Sequence, residues 1–408
     1  MIGEITDAHT KQDIVDAKVL GIDAFALNIN KLEPWATNTV DRLFKNADDL
    51  GFSLFFSFDM AEGAGYFTSP DQFQSYLKPF LSRKSYFKHL NKSLVSTFGG
   101  EKVTSAQWSS FKKTLGGDIL VIPGFYQNPA TASVFANLAD IDGIFNWNAW
   151  PTAQQGKTKV PLTDDQTFLT TATAAKKLFI LGISPLQFKH IDASTQNWYL
   201  RGEDNLEIRL EQALALQPHM IELQTWNDAG ESHYMGNIWP EPMASADAIH
   251  KYVDGYDHKG YWQILPAFIR AWKAGETTTA NMVPTNGEVA QGAFWHHTLT
   301  VGADCSADAL GAPRNRGSAE DVVSGVVLVA KGKTGLTAVV RNGDRELGRV
   351  KLGEGYNKFK VAGLGAGKVQ VEVWEGRTLV VGGYGPMEVG IEGKVCNYNF
   401  QVVGLGVK

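Results

Sequence analysis

Nothing in these 408 residues approaches the run of about 18 apolar residues that a membrane-crossing helix requires, which excludes a helical membrane protein. Basic residues are also scarce: 38 Lys and Arg face 43 Asp and Glu, the net charge is −5, and no basic cluster stands out. Such a surface offers no electrostatic footprint for a phosphate backbone or an anionic membrane, so neither nucleic acid nor membrane is an expected partner. Cysteine is nearly absent. The two present, Cys305 and Cys396, either form one disulfide or stay as two buried thiols. The histidines form no H-x-H or H-E-x-x-H pattern, and the adjacent His296 and His297 fall in the last third, so no catalytic metal and no cofactor is expected. No G-x-S-x-G nucleophile elbow occurs, and the glycine-rich Gly363–Lys368 stretch has Val369 where a phosphate loop needs Ser or Thr. The opening MIGEITD has neither the basic nor the apolar region of a secretory leader.

What is present is a chain with 44% hydrophobic residues, enough for two domains, and 11 Trp in a total aromatic content of 11%. Strand-length apolar runs recur at Ile22–Asn28, Phe52–Asp59, Ser93–Phe98, Ile119–Pro123, Gly143–Trp147, Leu178–Ile183 and Met220–Trp226. They are continuous rather than alternating, as in parallel strands buried on both faces. Helix signals lie between them: Thr39–Leu50 ending on Gly51, Ser69-Pro70-Asp71, Glu203–Leu216 and Tyr261–Lys273. A further strand at Met1–Ile5 brings the count to eight, which predicts a (β/α)8 TIM barrel over residues 1–278, with a doubly wound open sheet as the rival. Past Thr279 the texture changes. Alternating runs at Val322–Val329, Thr337–Arg341, Lys358–Val361 and Val369–Trp374, with Asn342-Gly343-Asp344 between two of them, predict a C-terminal antiparallel β-sandwich over 283–408.

In a barrel the reacting groups follow the carboxyl ends of the strands. Here those positions hold Asn28, Asp59, Phe98, Tyr126, Asn146, Trp147, Trp150, Ser184 and the block Trp226-Asn227-Asp228, with Glu231 close behind. A carboxylate closing an apolar strand is costly to desolvate, so Asp59 is either paired, for instance as a helix cap, or at work in a cleft. Asp228 and Glu231, three apart with Gly230 between, fit the two carboxyls of a glycosidase, one donating a proton and one activating water or attacking carbon. Spacing alone allows either carboxyl separation. The plainer alternative makes Asp228 the cap of a helix starting near Glu231, and His233 a structural donor or a sugar contact.

These stretches, Gly21–Asn28, Phe56–Met60, Val95–Phe98 and above all Trp226-Asn227-Asp228-Ala229-Gly230-Glu231-Ser232-His233-Tyr234, resemble glycoside hydrolase family 71, the fungal α-1,3-glucanases or mutanases. The resemblance implies secretion to the medium or cell wall and hydrolysis of α-1,3-glucan with inversion; separately, a monomer is expected. It also implies Asp59, Asp228 and Glu231 as the acidic set, with Glu231 the general acid, Asp228 the general base and Asp59 binding sugar or tuning a neighbour; the first two roles are interchangeable at this stage. Trp226, Asn227, His233 and Tyr234 are expected to line the subsites, with Asn28, Tyr126, Trp147 and Trp150 as neighbours. The competing readings are an α-glucan transglycosylase, and a wall-binding protein without activity, which would have no need of paired acids.

Overall fold

A computed structural model describes residues 3–63 and 65–406. The apolar runs form strands where expected: β1 (Ala24–Ile29), β2 (Ser53–Met60), a short β3 (Lys88–His89) turning back into β4 (Lys92–Gly99), then β5 (Ile119–Phe125), β6 (Gly143–Asn146) and β7 (Leu178–Ile183). A hairpin of β8 (Gln187–His190) and β9 (Asn197–Leu200) precedes β10 (Met220–Leu223). The principal strands lie side by side in the order β1-β2-β4-β5-β6-β7-β10, every neighbouring pair parallel. Helices link them. The first, Asp7–Leu20, starts where the Thr6 side chain accepts the His9 N–H and stops at Gly21 (φ 88°). Pro34–Leu50 opens on Pro34 and likewise stops at a left-handed glycine, Gly51 (φ 64°), a conformation that costs glycine nothing.

The strand expected at Met1–Ile5 is a correction. Met1 and Ile2 lie outside the described residues, and Gly3–Ile5 are not strand. The main path therefore holds seven parallel strands rather than eight, and among the described residues β1 and β10 do not pair. A cavity of about 430 Å³ opens between them, lined by Phe25, Leu27, Ile221, Leu223 and Trp226 among others. Phe25 and Trp226 face one another there, ring centroids 5.1 Å apart. Burial records the same opening: β5 is buried throughout, whereas all of β10 and the first half of β1 are only partly covered. A curled parallel sheet, open on one side, has the same hydrophobic pattern as a closed ring, because closure is decided between the first and last strands and not within any run.

The alternating C-terminal runs pair into two sheets. One, in the order β16-β13-β11-β19, comprises β11 (Ala290–His297), β13 (Val322–Val329), β16 (Gly355–Ala362) and β19 (Phe400–Leu405). The other, β12-β18-β17-β14-β15, comprises β12 (Leu299–Asp304), β14 (Leu336–Asn342), β15 (Arg345–Leu352), β17 (Gly367–Glu375) and β18 (Thr378–Glu392). Pairing is antiparallel except between β12 and β18. Phe294, Val327, Val340, Val371, Val373 and Leu405 fill the space between the sheets. Trp295, Leu328, Phe400 and Val402 instead join the core of the parallel layer, so the first sheet is packed on both faces. Cys305 and Cys396 form a disulfide (Cα–Cα 5.4 Å), resolving the alternative that composition left open.

Buried charges brace the junction of the two layers. Glu203 accepts from His297 Nε2 at 2.7 Å and from the Tyr199 hydroxyl at 2.7 Å, with Arg201 at 3.3 Å. Burial alone would raise the Glu203 pKa, but His297 and Arg201 outweigh it and bring it down to about 2. No helix of the described residues is long and apolar enough to cross a membrane.

Candidate active site

The segment after β10 folds back on itself. Thr225 N–H donates to His233 O and Met235 N–H to Thr225 O, both at 2.8 Å, while Gly236 N–H donates to Trp226 O at 2.7 Å. These bonds close residues 226–235 into a tight excursion at the carboxyl end of the strand, and the Gln224–Thr225 peptide at its base is cis. Within it the Thr225 hydroxyl accepts the Asp228 N–H (2.9 Å), and Asp228 Oδ1 accepts the Glu231 N–H (3.0 Å). The capping alternative is thus half right in its hydrogen bond and wrong in its helix: Asp228 does cap Glu231, but no helix follows, and Ser232 turns the chain at φ 59°. Oδ2 of Asp228 faces His233 instead.

That turn brings Asp228, Glu231 and His233 together, one oxygen or nitrogen from each lying within 4.8 Å of the others. His233 Nε2 stands 3.3 Å from Asp228 Oδ2 and 3.8 Å from Glu231 Oε2. The imidazole is almost fully buried and the two carboxyls are partly exposed. Burial pushes the Asp228 pKa up, but the imidazole beside it outweighs that and holds the carboxyl well below the usual range. Asp59 behaves oppositely. Burial, reinforced by the charges of Glu231 and Asp228, raises it to about 6 against the bond its Oδ1 accepts from Ala61 N–H at 3.0 Å. The set therefore holds acidic groups pushed in opposite directions.

Sequence reasoning missed two residues that hold Glu231. From the β8 strand, Gln187 Nε2 donates to Glu231 Oε2 and Lys189 Nζ reaches Oε1 at 3.3 Å, while Phe188 N–H donates to the Glu231 carbonyl at 2.9 Å. The alternation Gln187-Phe188-Lys189-His190 was the available signal. It marks a strand with one polar face, but nothing in it says which loop that face meets.

Around the carboxyls the rings are arranged unevenly. Phe98 and Tyr126 stack at 4.4 Å and Trp147 meets Phe98 edge-on at 4.5 Å, forming a partly exposed aromatic wall. Asn28, Trp147, Trp226, Asn227 and Asp228 all line the cavity between β1 and β10. Trp150 is buried with its ring 5.8 Å from His233 and so supports the imidazole. Tyr234 is a correction: it points away from the carboxyls into the junction, stacks on His258 at 4.0 Å, and donates to Tyr256 O at 2.6 Å while accepting from Asn399. His233 is as deeply buried and meets the two carboxyls from beneath, rather than lining an open subsite as expected. Ser184 is similarly committed, its hydroxyl to Leu186 O and its carbonyl to Asn205. The donor set of Asp228, Glu231 and His233 has the chemistry to hold a divalent cation, but a cation there would occupy the atoms that the carboxyl chemistry uses.

A curled parallel sheet with acidic side chains gathered at the carboxyl ends of its strands suits a glycoside hydrolase, and that is the class the family match gives. The chain belongs to glycosyl hydrolase family 71, which matches residues 1–407. A mutanase of Penicillium rubens is 29% identical over 415 residues, covering 98% of this chain and 86% of that one. A glucan endo-1,3-alpha-glucosidase of Schizosaccharomyces pombe is 30% identical, covering 78% and 73%. The ascus wall endo-1,3-alpha-glucanase of the same yeast is 26% identical, covering 96% and 91%. Among solved structures, the GH99 endo-alpha-mannosidase of Bacteroides thetaiotaomicron superposes with a TM-score of 0.51 at 13% identity, over 66% of this chain and 80% of that one, a likeness of fold alone.

Proposed function

We propose that this enzyme hydrolyses the α-1,3-glucosidic bonds of α-1,3-glucan outside the cell, with inversion at the anomeric carbon. The observation that carries the reading is the Asp228–Glu231–His233 cluster, in a chain whose relatives are named for α-1,3-glucan cleavage. Glu231 protonates the glycosidic oxygen as the bond to the anomeric carbon breaks. A water attacks that carbon from the opposite face, and Asp228, kept ionised by His233, takes the water's proton. Lys189 and Gln187 stabilise the carboxylate that Glu231 becomes. The disulfide supports an oxidising, extracellular setting.

One observation favours a second division of labour. Asp228 and Glu231 approach within 4.8 Å, closer than the about 6.5 to 9.5 Å between carboxyl groups in inverting enzymes. Asp59, held up at about 6, is suited to carry a proton near neutrality. In this version Asp228 and Glu231 share the attacking water and Asp59 donates.

The test is product analysis on α-1,3-, α-1,4- and β-1,3-glucans, with the anomer of the first product followed by NMR. Preference for the α-1,3 linkage with release of the β-anomer supports the proposal; first release of the α-anomer, or oligosaccharides longer than the substrate, favours the transglycosylase instead. Activated glucosyl donors separate the two acids, because a good leaving group restores turnover only in the variant that lacks the proton donor.

A further inference from the structure

The outer sheet of the C-terminal layer carries a feature that the hydrolytic cleft does not use. On β17 the inward residues Val369, Val371 and Val373 are fully buried between the sheets. The alternate residues Gln370, Glu372 and Trp374 therefore face outward, paired across the sheet with Tyr384, Gly382 and Leu379 of β18. Tyr384 is 51% exposed and Leu379 43%, unusually high for large apolar side chains in a sheet.

Both outward rings are fixed by one carboxylate. Glu372 accepts from the Tyr384 hydroxyl through Oε1 at 2.9 Å and from Trp374 Nε1 through Oε2 at 3.2 Å. The Tyr384 ring also lies across Gly382, where an added Cβ would stand 3.0 Å from the phenol oxygen and 3.2 Å from Cε2 and Cζ. Glycine at this position is thus explained by ring approach. One face of the tyrosine is pressed on the sheet and the other is turned to solvent. A ring held flat, open on one side and anchored beside an acceptor, has already lost the rotamer freedom that binding would otherwise cost.

We propose that Trp374, Tyr384 and Glu372 form a second sugar-binding site, on which a chain of α-glucan lies with its C–H faces against the rings and a hydroxyl donating to a free lone pair of Glu372. The ligand class is a neutral polysaccharide, since the paired Glu372 and the flat rings offer acceptors and apolar area but no concentrated charge. Naming α-1,3-glucan rests on the substrate reading above. The site would hold the enzyme on an insoluble polymer while the cleft works on it.

The experiment compares the full chain with the Trp374→Ala/Tyr384→Ala variant, using co-sedimentation with insoluble α-1,3-glucan and rates on insoluble glucan and on soluble α-1,3-oligosaccharides. Expected is about a tenfold weaker association with the solid and a matching loss of rate on it, with the rate on soluble oligosaccharides unchanged. Tyr384→Phe, which keeps the ring, should retain most of the binding, and Tyr384→Ala alone gives the reading if the double variant melts early. Equal sedimentation of variant and parent overturns the proposal. Binding to a β-linked glucan in place of α-1,3-glucan, lost in the double variant, keeps the sugar site and overturns the linkage.

Discussion

His233 Nε2 lies 3.3 Å from Asp228 Oδ2, and the imidazole is 1% exposed while the carboxylate is 37% exposed. The buried member of the pair thus fixes the charge of the accessible one. Asp228→Asn is expected to lower turnover on α-1,3-glucan on the order of 10³-fold while circular dichroism stays unchanged. His233→Ala should move the acidic limb of the kcat/KM profile to higher pH, because Asp228 loses the partner that holds it charged. An unmoved limb would remove His233 from this role.

Glu231→Gln should be as damaging as Asp228→Asn on natural glucan. With an activated aryl or fluoride donor, recovery in Glu231→Gln assigns the proton to Glu231, and recovery in Asp59→Asn assigns it to Asp59. Recovery in neither variant argues against both divisions of labour.

Lys189 and Gln187 meet Glu231 from a different strand pair, so their loss should change catalysis without disturbing the turn that carries the acids. Lys189→Met is expected to reduce kcat roughly tenfold, with KM little altered, as fits a group that acts on a charged carboxylate. A change confined to KM would make Lys189 a substrate contact instead.

Asp59 links pH to stability. Its pKa rises from 3.8 to about 6 on folding, so between those values the folded state binds more protons and stability falls as pH rises. Asp59→Asn should therefore be more stable than the parent above pH 6, by roughly 3 kcal/mol at most, and melt correspondingly higher, with the difference vanishing below pH 4. Calorimetry at the two ends of that window checks the sign.

Two further measurements use the donor cluster and the disulfide. Millimolar Zn²⁺ should inhibit competitively with substrate by occupying Asp228, Glu231 and His233, and chelators should leave activity intact; activation by the metal would reverse this view of the site. Replacing Cys305 and Cys396 by Ser releases a sequence separation of 91 residues and should cost roughly 4 kcal/mol of stability if chain entropy dominates.

The seven strands of the parallel path and the alternating runs of the C-terminal sheets were legible along the chain, because each depends on local periodicity, whereas the strand expected at Met1–Ile5 was not borne out. Asp59, Asp228 and Glu231 stood out as candidates by their places at or just beyond strand ends. The tight turn that holds Asp228 against Glu231 was partly legible: Gly230 signalled a turn, with a helix capped by Asp228 as the alternative. Tyr234 was misassigned because a motif read as a block does not say which of its members turn away from the cleft.

Local pattern by itself determined which segments are strands, which residues end them and which of those are acidic. Only the tertiary structure decided that β1 and β10 stay apart, that Gln187 and Lys189 reach Glu231, and that His233 lies beneath Asp228. The first two are relations between segments distant in sequence, decided by burial and charge pairing in the packed molecule, and no short window of sequence contains both partners. The third joins residues only five apart, but it depends on how the chain turns at Ser232, which local pattern did not specify.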